Sequence, residues 1–261
     1  MLLIGELINS TRKRVKEALQ NKDEVTIRHL ARVQIEAGAD VLDINTAVSM
    51  QRESEDMKWV ISLIYDEVGE VRLSIDSSNP QAMAAGLALC RTRAVINSIS
   101  NEKSKSSLIE LAAQYDAEII GLAIGEHGMP KTADDRLEEA QALLEKCRRV
   151  GINPDRIYVD VVCMSVGSSP EQGAQALEAV RRVKNELCVK TLAAVSNVSF
   201  GLPNQHLLNR TYLSMLLEAG LDAVIMNPTD SDMMDTIYAS HALLGTDKYC
   251  VEYIKRQRKL R

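Results

Sequence analysis

Aromatic side chains are scarce: 3% of the 261 residues, comprising one Trp, one Phe and seven Tyr. A surface that holds single-stranded nucleic acid needs aromatic platforms for successive bases, so this composition argues against that class. An excess of positive charge is also missing. Lys and Arg number 31 against 36 Asp and Glu, a formal net charge of −5. The basic run from Lys255 to Arg261 reads as a solvated helix end, and no nucleic-acid partner is expected. No apolar run approaches the roughly 20 residues of a membrane span, and MLLIGELIN turns polar too soon for a signal peptide. Five cysteines (Cys90, Cys147, Cys163, Cys188, Cys250) are dispersed without a CxxC, and four histidines (His29, His127, His206, His241) without HxH or HExxH. That pattern suits a reducing compartment, predicts a cytoplasmic protein, and argues against a disulfide frame or a bound metal. GxGxxG and GxxxxGK[ST] are both absent, as are linkers and low-complexity stretches, so one domain is expected over residues 1–261.

What is present is an alternation. Short β-rich runs occur at LLIGE (2–6), VLDIN (41–45), RLSID (72–76), AVINS (94–98), EIIGLAI (118–124), IYVDVV (157–162), KTLAAVS (190–196) and AVIMN (223–227). Between them lie segments with apolar residues three and four apart, such as Met57, Val60, Ile61 and Ile64, or Leu108, Leu111, Ala112 and Tyr115. Glycine-bearing turns, EAGAD (36–40), RVGIN (149–153) and EAGLD (218–222), close helices and lead into strands. Eight strands, each followed by a helix, predict a single (β/α)8 barrel of the TIM type rather than an open doubly wound sheet.

In such a barrel the chemistry gathers at the C-terminal ends of the strands. There this sequence places Glu6 and Asn9 on the first strand, Asp43 and Asn45 on the second, and Asp76 on the third. Asn97, Asp160, Asn197 and Asn227 follow on the fourth, sixth, seventh and eighth. A single Asp or Asn after a strand is ordinarily a turn former or helix cap. A whole mouth of carboxylates and carboxamides is a different matter, because turn chemistry alone would mix in more Gly, Ser and Thr. No strand-end Lys offers a Schiff base; Lys190 opens the seventh strand at the opposite face. No strand-end His offers acid–base work, and no Gly-rich phosphate cradle follows strands seven or eight. The set calls for a phosphate-free ligand recognised by many fixed hydrogen bonds. A flat heterocycle with an N–H edge and a carbonyl, such as a 2-amino-4-oxopteridine, meets that demand.

The motifs GELIN (5–9), LDIN (42–45), SIDSSN (74–79), INSISNE (96–102), YVDVV (158–162) and SNVSFGLPN (196–204) together resemble the pterin-binding methyltransferases. The resemblance is strongest to the methyltetrahydrofolate:corrinoid protein methyltransferases and runs from Met1 to about Cys250. It implies that Asp76, Asn97 and Asp160 hold the pterin ring and that Asn197 meets N5, where the methyl group sits. It also puts Glu6, Asn9, Asp43, Asn45 and Ser199 near the mouth in less defined roles, and implies a homodimer. The implied catalytic pair is Asn197 and Asp160. The substrates implied are tetrahydrofolate and 5-methyltetrahydrofolate, with a corrinoid (cobalamin) as the other methyl carrier. The DxHxxG motif of corrinoid-binding modules is absent, so a separate corrinoid protein is expected to dock over the mouth. Two departures stand out: Gln205 where some members carry Arg, and Met164 after the sixth strand. Cys163, near the mouth, reads as core filler, since no His is placed to activate it.

Rival readings make distinct demands. A dihydropteroate synthase-like enzyme needs a Lys after the seventh strand and Arg-x-His after the eighth; the chain reads SNVS and MNPTD there. A non-catalytic folate-binding subunit of a demethylase complex would bind folate without moving methyl groups. An unrelated barrel lyase would bind no folate.

Overall fold

In the computed structural model, which describes residues 1–259, eight parallel strands close into a barrel in sequence order. They are β1 (Leu2–Asn9), β2 (Val41–Asn45), β3 (Arg72–Asp76), β4 (Val95–Ile99), β5 (Glu118–Leu122), β6 (Ile157–Asp160), β7 (Lys190–Ala194) and β8 (Ala223–Met226). All eight β-rich runs of the sequence are strands, with ends displaced by three residues at most. The largest displacement is in β1, which continues past Glu6 across an irregularity between Gly5 and Ile8 before Asn9 pairs with Asn45.

Among the described residues ten helices flank the strands: α1 (Lys13–Asn21), α2 (Glu24–Glu36), α3 (Glu53–Val68), α4 (Pro80–Leu87), α5 (Ser106–Gln114), α6 (Ala133–Arg149), α7 (Gln172–Arg182), α8 (Gln205–Glu218), α9 (Ser231–Leu243) and α10 (Val251–Lys259). The apolar stripes read from the sequence face inward. Met57, Val60, Ile61 and Ile64 are buried, as are Leu108 and Ala112, with Leu111 and Tyr115 half-buried beside them. Helix ends carry local signals. Asp23 caps α2 through Thr26 N at 3.1 Å, and Thr132 with Asp135 forms a reciprocal capping box on α6. Gly38 and Gly220 sit at φ 103° and 104°, a backbone region that a Cβ would disfavour, where the chain reverses into β2 and β8. On α10, Lys255 pairs with Glu252 and Arg256 with Asp235, so these cations of the basic run serve the helix surface. The last two residues of that run, Leu260 and Arg261, lie outside the described residues.

The barrel interior is filled, not hollow. Ile4, Val41, Val95, Ile120, Tyr158, Leu192, Ala223 and Ile225 form one cluster drawn from seven strands. Arg72 of β3 reaches Glu118 of β5 at 2.5 Å near the N-terminal opening. Above the apolar layer, at the C-terminal ends, the inward residues turn polar. That change of layer sets the mouth on a dry floor. Among the described residues no helix is long and apolar enough to cross a membrane.

Candidate active site at the barrel mouth

Two hydrogen-bond chains organise the mouth. In the first, β2 and β4, alternate strands of the barrel, both aim inward: Asn97 Nδ2 donates to Asp43 Oδ1 at 3.0 Å. Ser74 Oγ, in register with Asp43 on β3, donates to the same oxygen at 2.7 Å. In the second chain, Ser10 Oγ donates to Asn45 Oδ1 at 2.5 Å, and Asn45 Nδ2 donates to Asp76 Oδ2 at 3.0 Å. The amides are therefore oriented. Asn45 presents its N–H to Asp76, and Asn97 presents its N–H to Asp43, which leaves the Asn97 carbonyl oxygen to accept from a ligand.

Asp76 is thus no helix cap. Asn79 caps α4 by accepting from Gln81 N at 3.0 Å, and Pro80 opens the helix. Ser77, next to Asp76, is tied to the buried Glu53 at 2.5 Å, which pins the loop after β3. Asp160 ends β6; its Oδ1 accepts from Val162 N at 2.8 Å, with the other oxygen left for a ligand. Asn197 lies on the 3-10 turn Val195–Ser199 after β7 and is exposed. Asp76, Asn97 and Asp160 each keep an acceptor oxygen outside these bonds, and among the described residues no hydrogen bond engages the Asn197 side chain.

The electrostatics follow from the dry floor. Burial raises the Asp43 carboxyl, and the neighbouring Asp76 charge raises it further. Burial raises Asp76 as well, against the hydrogen bond from Asn45 and the nearby Lys105 charge. Asp160 is pushed up to about 6 by burial, against its backbone hydrogen bond and the charge of Arg136. Glu6 is also raised by burial although Arg12 donates to it at 2.7 Å. Each is an acceptor held in a place that penalises negative charge, and a ligand presenting N–H donors relieves that penalty.

Not every expected residue points into this constellation. Asn9 works as a turn former: its Oδ1 accepts from Thr11 N at 3.0 Å and Thr11 Oγ1 at 2.7 Å. Asn227 does the same for Thr229. Ser199 is fully buried and donates to Asn209 of α8 at 2.6 Å, fastening the turn that carries Asn197. Cys163 is buried, with its thiol pushed up to about 12 by desolvation, so it stays protonated. Lys190 lies at the start of β7 and donates to the Asp155 carbonyl at 2.6 Å. Gln205 begins α8 in an exposed position; beside it His206 and Arg210 pair with Asp232 at 3.0 and 3.2 Å. Ser10 and Ser74, unnoticed in the sequence, prove to orient the two networks. The available signal was a buried serine in an otherwise apolar strand, as in LSID.

Fold and mouth together define a class: a closed eight-stranded parallel barrel with buried carboxylates and carboxamides gathered at the C-terminal ends of its strands. The family model described as pterin binding enzyme matches residues 5–227, and the chain belongs to that family. Over 265 residues it is 31% identical to a methylcorrinoid:tetrahydrofolate methyltransferase of Eubacterium limosum, covering 99% of this chain and 97% of the relative. It is 28% identical over 242 residues to methionine synthases of Mycobacterium leprae and Mycobacterium tuberculosis, covering 87% of this chain but 20% of theirs. In three dimensions it superposes on dihydropteroate synthase of Xanthomonas albilineans with a TM-score of 0.70 and 18% identity, over 95% of this chain and 93% of that one. At that identity the likeness is one of fold.

Proposed function

We propose that this protein moves a methyl group between N5 of tetrahydrofolate and the cobalt of a corrinoid carried by a separate protein. The observation that carries the reading is the oriented acceptor set, Asp76, Asn97 and Asp160, beside the free amide of Asn197. A reduced pterin offers donors at its 2-amino group, N3 and N8, which suit three acceptors. Held by that edge, the ring leaves N5 for the one site residue that is exposed and unengaged. The full-length likeness to a methylcorrinoid:tetrahydrofolate methyltransferase supports the same substrates.

The chemistry asked of the protein is positioning. In the direction named by that relative, the N5 lone pair forms a bond to the methyl carbon of the methylcorrinoid substrate. The cobalt–carbon electron pair stays with cobalt, which leaves as Co(I), and the N5 proton passes to water. In reverse, a protonated N5 makes the methyl carbon electrophilic and the amine the leaving group. Asn197 suits both directions, since its amide donates to neutral N5 or accepts from N5–H⁺. Holding the two reactants in line converts a bimolecular step into a near-unimolecular one. The corrinoid protein docks over the mouth, and residues 1–261 act as one pterin-binding unit, dimeric with a second copy, in the cytoplasm. Asn197→Ala tests the reading: methyl transfer should fall at least about 100-fold while the tetrahydrofolate Kd changes less than about threefold. Equal losses in rate and affinity would remove the N5 role from Asn197.

A further inference from the structure

Arg136 of α6 is fully buried, with 0% of its surface exposed. Among the described residues no carboxylate lies within ion-pair distance of it. Its partners are neutral: Nε donates to Val161 O at 2.6 Å, Nη1 to Thr132 O at 3.0 Å, and Nη2 to Val162 O at 3.0 Å and to Gln172 Oε1 at 2.8 Å. A buried cation without an anion is costly, and a fold keeps one where its charge or its fork of donors serves something. What this fork holds is the turn that follows Asp160. Val162, β-branched, stands at φ 56°, where such a side chain is strained. Its N–H is the donor that fixes Asp160 Oδ1. The guanidinium thus grips the carbonyls of the two residues that shape the Asp160 carboxylate. Four titratable groups face the guanidinium: Cys163, Tyr212, Asp135 and Asp160. Cys163 and Tyr212 are both buried and pushed upward, so they stay neutral, while Asp135 is half-buried and engaged in the capping box of α6. Asp160 is the buried anion in the set.

We propose that Arg136 is a positioning residue for the transfer reaction. Through the Val161 and Val162 carbonyls it fixes the Asp160 carboxylate, and its charge supports that carboxylate as the acceptor for the ligand's N–H edge. The inference rests on the pterin reading of the mouth, and its test separates the two. In ligand-free protein, the Asp160 carboxyl is titrated by 13C NMR, assigned by its loss in Asp160→Asn. Tetrahydrofolate affinity is measured anaerobically from about pH 5 to 8 in parallel. Arg136→Gln should raise the Asp160 midpoint by about one pH unit and weaken folate binding about tenfold at neutral pH, with binding lost at higher pH than in the wild type. Arg136→Lys, which keeps the charge and loses the fork, should leave the midpoint in place and weaken binding equally at every pH. Gln172→Glu keeps the fork and sets an acid against Nη2. It should also raise the midpoint, and it serves should Arg136→Gln fail to fold. An unmoved Asp160 midpoint in both Arg136→Gln and Gln172→Glu would overturn the proposal. A wild type that binds no tetrahydrofolate would sink the pterin reading, while the Asp160 titration would still decide the role of Arg136.

Discussion

At the scale of the residue, the site sets function against stability. Burial pushes the Asp160 carboxyl up to about 6 in the fold, against an ordinary value of 3.8. The native state therefore binds more protons than the unfolded chain between about pH 4 and 6, and stability falls as pH rises through that window. Asp160→Asn removes the charge and keeps an oxygen for Val162 N. It should raise stability at pH 7.5 by about 2 kcal/mol, read by urea denaturation, while tetrahydrofolate affinity falls steeply. A destabilised variant would show that the carboxylate is not held at a cost. Ser74→Ala should act oppositely, weakening the fold by about 1–3 kcal/mol because buried Asp43 loses a donor. The exposed Asn197 side chain has no hydrogen-bonded partner among the described residues, so Asn197→Ala should leave stability by urea denaturation within about 0.5 kcal/mol of the wild type. The positions of Asp76, Asn97, Asp160 and Asn197 toward or just past the C-terminal ends of their strands were legible because strand periodicity marks where each strand ends. Arg136 and Ser74 were not. An Arg on a helix and a Ser in a strand look ordinary until register and packing decide what lies opposite.

At the scale of the element, the alternation of strands and amphipathic helices survives intact, because the helices α1 to α9 each bury one side and the strands are largely apolar on both faces. Side-chain direction is where the sequence is silent. Asn9 at the end of β1 and Ser199 in the turn after β7 are turned by local geometry, one toward Thr11 and one toward Asn209. Hydrophobic period carries no information on side-chain direction in an irregular turn. The α6 N-terminus joins both levels. Thr132 caps the helix through its side chain, and its carbonyl accepts from Arg136. Thr132→Ala should cost about 1 kcal/mol by urea denaturation and leave folate affinity unchanged, since the carbonyl remains. Gly121→Ala probes the packing of β5 on α6: a Cβ there runs into Leu143 Cδ2. Overpacking of that kind should cost about 1–3 kcal/mol.

At the scale of the whole molecule, a filled barrel supports a polar mouth. On the proposed reading, turnover should saturate with the concentration of the corrinoid protein as well as with folate. The most direct test is anaerobic methyl transfer from methylcobalamin, free or bound to a corrinoid protein, to tetrahydrofolate. The cobalt absorbance spectrum and 5-methyltetrahydrofolate are followed together. Catalysed transfer predicts loss of the methylcobalamin bands, appearance of the Co(I) spectrum and one 5-methyltetrahydrofolate for each cobalt demethylated, all dependent on both protein and folate. Tight folate binding without methyl transfer from either form of the corrinoid would contradict a catalytic role and leave a folate-binding subunit in its place.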